Sequence, residues 1–168
     1  PQLLVFSDDP HRRKRLLEFA EWLEGGTGFA TIVRIIEGEG PQMIKLREEA
    51  ERELRKDIAE SDSEAFPLVI AAPSLIQGMH TLVQAYGIGP LKVNTILLNW
   101  FENEGTKNLG IREILYGRRI KTAFRLGCNI IVLNAVEDEW NKLAAVPFEK
   151  RRIDVWWWDD ASSHLMLL

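Results

Sequence analysis

The stretch LLVFSDDP, residues 3–10, decides the fold class. Its first four residues form a continuous apolar run, which is typical of a parallel strand covered on both faces. Asp9 then suits the N-cap of a helix and Pro10 its first turn. Apolar residues follow at helical spacing until Gly25-Gly26, a pair that favours a helix end. The stretch therefore predicts a strand that leads directly into a helix.

The same alternation continues along the chain. Apolar or β-branched runs predict further strands at 29–36, 66–72, 94–100, 129–134 and 153–158. Helical patterns lie between them, opened by Ser74 in one case and closed by Gly87 and Gly89. This regularity predicts an α/β fold, a doubly wound and mostly parallel sheet with helices on both faces. It leaves the strand order open.

The charged helix expected at 42–60 has a single apolar stripe. Five side chains form this stripe at helical spacing and should face the sheet: Met43, Leu46, Ala50, Leu54 and Ile58. His80 lies in an apolar helix, and we expect it to be a hydrogen-bonded core histidine. The uncharged segment 65–91 is long enough to span a bilayer, but its prolines and glycines favour a buried strand, turn and helix.

Composition excludes several protein classes. The chain has 168 residues, 46 % of them apolar and 27 % charged, which argues against disorder and coiled coil. Its net charge of −4 argues against a nucleic-acid partner. A single cysteine, Cys128, excludes a disulfide framework and a cysteine-rich zinc site.

The length suits one domain and the start of another. We expect a first α/β subdomain at 1–148 and the beginning of a second α/β unit at 149–168. Asp8-Asp9 and Asp159-Asp160 both follow apolar runs, and this weak internal similarity supports the start of a second α/β unit. Four apolar residues end the sequence without a helix cap, so we expect the chain to be a piece of a longer protein.

The end of the first strand is the candidate ligand site. Ligands of open α/β sheets bind beyond the carboxyl ends of strands. We call this site the first-strand crevice, and it comprises Ser7, Asp8, Asp9 and His11, with Asn99 beside them if the first and fourth strands are neighbours. A helix N-terminus favours an anion, but two carboxylates and the lack of a glycine-rich loop oppose one. The alternative is a capped helix end with solvated acids.

Two basic clusters allow two interpretations. Residues 11–15 read His-Arg-Arg-Lys-Arg, and a second cluster comprises Arg118, Arg119, Lys121 and Arg125. Either cluster could contact an anion, a phospholipid surface or an acidic partner, or simply be a solvated face whose stems cover apolar neighbours. No catalytic motif and no metal-ligand spacing is visible. We therefore predict no catalytic residue, no cofactor and no metal.

Two stretches carry a family resemblance. The first is GMHTLVQAYGIGPLKVNTILLNW, residues 78–100, in which a helix runs into a glycine-rich turn and an apolar strand. The second is IDVWWWDD, residues 153–160. Both resemble the cytosolic C-terminal domain of the cation-chloride cotransporter family. The matching residues are Gly87, Gly89, Lys92, Asn94, Thr95, Asp154, Val155, Trp156, Trp157, Asp159 and Asp160. Val93 replaces the family's usual proline, and the spacing from the Trp pair to the acids is one residue shorter.

The resemblance implies a non-catalytic role in a membrane transporter. Family members move chloride with sodium or potassium through transmembrane helices, which this chain lacks. The chain would be the first part of the cytosolic domain, an α/β unit similar to universal stress proteins, on the cytoplasmic side of the cell membrane. Its partners would be a second copy, the transporter's own transmembrane domain and regulatory kinases. The alternatives are a free-standing universal-stress-type nucleotide-binding protein and an unrecognised enzyme.

Overall fold

The computed structural model describes residues 1–7, 9–88, 91–100, 117–118, 120–121 and 123–152. Helical residues also occur at 117–118, 120–121 and 123–125. In chain order the named elements are β1 (Gln2–Phe6), α1 (Pro10–Glu24), β2 (Phe29–Glu37), α2 (Met43–Glu60), β3 (Phe66–Ala72), α3 (Leu75–Ala85), β4 (Gly87–Ile88), β5 (Leu91–Lys92), β6 (Thr95–Asn99), β7 (Asn129–Leu133), α4 (Glu137–Ala144) and a 3-10 turn at Phe148–Lys150.

A five-stranded parallel sheet organises the fold, with the order β3-β2-β1-β6-β7. From the central β1 the chain steps outward to β2 and β3. It then returns to the other side of β1 to form β6 and β7. The direction of winding therefore reverses between β1 and β6.

Each face of the sheet has its own apolar core, because successive strand residues point to opposite faces. Leu3 and Val5 belong to a cluster that includes Leu16 and Leu17 of α1 and Leu54 of α2. Leu4 and Ile96 belong to the opposite cluster, together with Met79 of α3 and Ala123. Helices thus cover both faces, and the predicted doubly wound α/β class is confirmed.

The residues predicted to begin and end α1, and to begin α3, do so in the structure. Asp9 is the N-cap of α1 and Pro10 follows it, while Gly25 ends the helix in the left-handed conformation with φ of 57°. The hydroxyl of Ser74 accepts a hydrogen bond from the backbone N–H of Gln77 at the start of α3. These signals involve residues within one helical turn, so they depend little on the rest of the fold.

Two expectations about individual residues are wrong. Leu46 is 46 % exposed, because the buried stripe of α2 comprises only Met43, Ala50, Leu54 and Ile58. His80 is exposed and contacts Gln84, since the buried face of α3 carries Met79, Leu82 and Val83 instead. α3 ends at Ala85 with Tyr86 as its C-cap, so Gly87 directly follows the helix end, and it also begins the antiparallel hairpin of β4 and β5.

The chain divides into two compact units, Pro1–Asn134 and Ala135–Leu168. The sheet lies in the first unit, and α4 lies in the second. The predicted second α/β unit at 149–168 falls mostly outside the described residues, together with the tryptophan strand at 153–158, so both stay predictions. Among the helices of the described part of the chain, none combines the length and hydropathy needed to cross a membrane.

Candidate functional site

The first-strand crevice lies where the winding of the sheet reverses. Phe6 of β1 pairs with Leu98 of β6, so Ser7, just after β1, lies beside Asn99, the last residue of β6. The predicted neighbourhood of the first and fourth principal strands is therefore present. A reversal of this kind is the usual ligand position in open α/β sheets. Asp8, the remaining acid of the crevice, lies outside the described residues.

The polar groups at the end of β1 bind one another. Ser7 is 2 % exposed, and its backbone N–H donates to the carbonyl of Val33 over 3.3 Å. Its hydroxyl donates to the carbonyl of Asp9 over 3.2 Å. The Asp9 carboxylate accepts a hydrogen bond of 2.9 Å from the backbone N–H of His11. The N–H of Ser7 is thus engaged by β2, while the hydroxyl of Ser7 and the N–H of His11 are engaged by Asp9.

Arg12 connects the two sides of the first-strand crevice. Its Nη1 donates to the carbonyl of Trp100, just after β6, over 3.2 Å. Its Nε lies 3.6 Å from the Asp9 carboxylate, and 20 % of the Arg12 side chain is exposed. The guanidinium therefore neutralises part of the Asp9 charge and links α1 to the end of β6. Sequence reasoning missed this link because Trp100 is 88 residues away.

The basic run at 11–15 does not form one solvated face. Arg13 is 1 % exposed and forms an ion pair with Asp57 of α2. Lys14 is exposed, and Arg15 is half-buried. The interpretation as a continuous anion-binding or solvated surface is thus wrong for Arg13, which lies where α1 packs against α2. In the second basic cluster, the structure describes three side chains that are at least partly exposed: Arg118, Lys121 and Arg125. Arg119 lies outside the described residues.

Asn94 lies at the opposite end of the sheet and ties three strands together. Its side-chain Oδ1 accepts hydrogen bonds from the backbone N–H of Gln2, over 3.1 Å, and from the hydroxyl of Thr95, over 2.9 Å. Its backbone N–H donates to the carbonyl of Gln2 over 3.3 Å, and its carbonyl accepts from the N–H of Asn129 over 2.8 Å. The turn therefore aligns the starts of β1, β6 and β7.

The remaining residues of the family resemblance lie partly in the β4–β5 hairpin and partly outside the described residues. Gly87 begins β4, and Lys92 ends β5 and is exposed. The others lie outside the described residues: Gly89, Asp154, Val155, Trp156, Trp157, Asp159 and Asp160. The motif residues with defined contacts therefore act in strand alignment, far from the first-strand crevice at the other end of the sheet.

Cys128 is a poor nucleophile in this environment. It is 6 % exposed, and its thiol lies 3.8 Å from the carbonyl of Val93. Burial raises the pKa of the thiol, which lowers the fraction of reactive thiolate at neutral pH. Within the described ranges, no three His, Cys, Asp or Glu side chains lie close enough together to hold a metal ion.

Comparison with models of known protein families finds none that matches this chain. The resemblance to the cation-chloride cotransporters thus depends on the quoted residues. Among these, the Asn94-Thr95 turn has a defined structural role.

Proposed function

We propose that this chain is a non-catalytic cytosolic domain that regulates and dimerises a membrane transporter of chloride with sodium and/or potassium. The observation that carries the proposal is the Asn94-Thr95 turn. It belongs to the longer of the two stretches that resemble this family, and its hydrogen bonds connect three parallel strands. A motif with this role suits a structural domain better than an enzyme.

The first-strand crevice supports a role without catalysis. Ser7 and Asp9 use their polar groups for contacts within the loop. Arg12 is engaged by Asp9 and by the carbonyl of Trp100. A phosphoryl ligand would need free backbone donors here, and Pro10 has no N–H to offer.

Transport by the complete gene product tests the proposal. Codons upstream of Pro1 should encode transmembrane helices, and cells that express the complete product should show chloride-dependent uptake of sodium or rubidium. Asn94→Ala should lower that uptake through a smaller amount of assembled transporter, whereas Glu48→Gln on the exposed face of α2 should leave it unchanged. A reading frame without such helices, or cation uptake independent of chloride, would refute the proposal.

Self-association tests the dimerising role separately. Sedimentation equilibrium of the complete cytosolic domain, measured across the micromolar range, should show a homodimer. The dimer would bring two copies of the transporter together, and regulatory kinases would act on it as further partners. A monomer at every concentration would contradict the dimerising role while leaving the transport result unaffected.

The position of the first-strand crevice favours a second candidate, a universal-stress-type nucleotide-binding protein. Calorimetric titration with ATP and magnesium separates the two functions. We expect no tight binding, because the Asp9 carboxylate repels a triphosphate and the loop has no glycine. A dissociation constant below about 10 μM, or about −7 kcal/mol, would instead favour the nucleotide-binding function.

A further inference from the structure

A partly open cavity of about 300 Å³ lies where β2 and β3 begin, at the end of the sheet opposite the first-strand crevice. Phe29 and Phe66, the first residues of these strands, both line it. Their ring centroids are 6.3 Å apart and their planes are inclined by 46°. Phe29 is 44 % exposed and Phe66 is 51 % exposed. Two aromatic rings thus remain accessible in a cavity of the size that ligands occupy.

The same cavity is lined by acidic side chains. Glu24, at the end of α1, and Glu64, just before β3, line it, and none of its described lining residues is basic. Burial raises the pKa of the Glu24 carboxyl, and the negative charges of Glu21 and Glu64 raise it further, while the α-amino group of Pro1 lowers it. A positive charge placed in the cavity would relieve this repulsion.

The wall of the cavity between α1 and β2 is held in place by local contacts. The backbone N–H and the hydroxyl of Thr27 both donate to the carbonyl of Glu24, over 3.1 and 3.0 Å. The N–H of Phe29 donates to the carbonyl of Pro1 over 3.0 Å. A Cβ atom on Gly28 would lie 2.3 Å from that same carbonyl oxygen, so the close approach requires glycine. The segment that carries Glu24 and Phe29 is therefore held in position in the absence of a ligand.

We propose that this cavity binds an organic cation, an ammonium or guanidinium group on an apolar stem. Glu24 and Glu64 supply the counter-charge, and the rings of Phe29 and Phe66 contact the cation and its stem. Aromatic faces attract organic cations through the ring quadrupole, and carboxylates add Coulomb attraction. A hydrated inorganic cation would gain nothing from the rings. The proposal is independent of the transporter function, because none of these residues belongs to the family resemblance.

Titration of the 168-residue chain with choline tests the proposal. Nuclear magnetic resonance should show saturable shifts of the Gly26, Gly28 and Phe29 amides, with a dissociation constant of about 1–10 mM, as expected for a partly open site. The uncharged isostere of choline, with carbon in place of the quaternary nitrogen, should bind at least about fivefold more weakly. Equal binding of the isostere would overturn the proposal, since the cavity would then recognise only apolar surface.

Substitutions locate the interaction. Glu64→Gln and Glu24→Gln should each weaken choline binding about fivefold, the effect of losing one nearby unit charge in water. Phe66→Leu keeps the apolar side chain without the aromatic face and should weaken binding about two- to fivefold. Glu48→Gln is the matched control, since this exposed glutamate of α2 does not line the cavity.

Three outcomes would contradict the proposal. Choline binding that is equally weak in Glu48→Gln and in Glu64→Gln would mean attraction to the overall negative charge. The same amide shifts on addition of potassium chloride would assign them to ionic strength or to an inorganic cation. Unchanged choline affinity in Glu64→Gln would show that the Glu64 carboxylate takes no part in binding. This variant alters an exposed side chain and should fold normally.

Discussion

Removal of Asp57 should destabilise the protein, because Arg13 would become an uncompensated buried cation. The Arg13 side chain is 1 % exposed, and its Nη1 donates to the Asp57 carboxylate. Its Nε and Nη2 are buried and have no hydrogen-bond partner within the described part of the protein. Asp57 is therefore the counter-charge on which the burial of Arg13 between α1 and α2 depends.

The expected cost follows from this geometry. Breaking a buried ion pair by removing one partner costs about 3–5 kcal/mol. The side chain of Asp57 is 30 % exposed, so solvent already screens part of its charge. We therefore expect Asp57→Ala to lower the free energy of unfolding by about 2–3 kcal/mol. Arg13→Leu removes the buried charge together with its desolvation penalty, so it should change stability by less than about 1 kcal/mol.

Urea unfolding of the two single variants and the double variant measures this effect. The double variant should be more stable than Asp57→Ala alone, with a coupling energy of at least about 1 kcal/mol. Glu60→Ala serves as the control, because Glu60 forms an exposed pair of 3.6 Å with Lys56 on the same helix and should cost less than about 0.5 kcal/mol. If Asp57→Ala costs no more than this control, or if the two single effects simply add, the reasoning is wrong.

Three further predictions test other described contacts. Asn94→Ala should lower the free energy of unfolding in urea by about 1–2 kcal/mol, because the N–H of Gln2 loses its acceptor, and Asn94→Asp should cost less because it keeps an oxygen there. Cys128 should react with a thiol reagent at neutral pH far more slowly in the folded than in the unfolded chain, since burial lowers access and raises its pKa; equal rates would contradict this. Because the pKa of Glu24 is raised above 4.5, the folded state holds that proton more tightly, so this group lowers stability as pH rises from 4.5 through the raised pKa. Glu24→Gln should then raise the urea midpoint at neutral pH, and an unchanged midpoint would count against the repulsion among Glu21, Glu24 and Glu64.

The sequence predicted the candidate site in part. It placed Ser7, Asp9 and Asn99 at one end of the sheet, because apolar runs followed by polar residues mark the carboxyl ends of strands. It did not predict that Arg12 joins Asp9 to the carbonyl of Trp100. It also gave no indication of the cavity at the other end, since Phe29 and Phe66 look like ordinary first residues of buried strands.

By itself, the sequence determined the α/β class and the helix ends. Strand–helix alternation, the Asp9 and Ser74 caps and the Gly25 stop all depend on residues a few positions apart, so local pattern suffices to predict them. Only the tertiary structure decided the strand order, because β1 could pair with any other strand at similar local free energy.

Tertiary structure likewise decided that Arg13 is buried while Lys14 is exposed, although both belong to one basic run. The contacts responsible join residues distant in sequence, 44 positions from Arg13 to Asp57 and 92 from Gln2 to Asn94. Such contacts form only after the sheet and its covering helices have brought the two segments together, and no local pattern records which distant partner a side chain will meet.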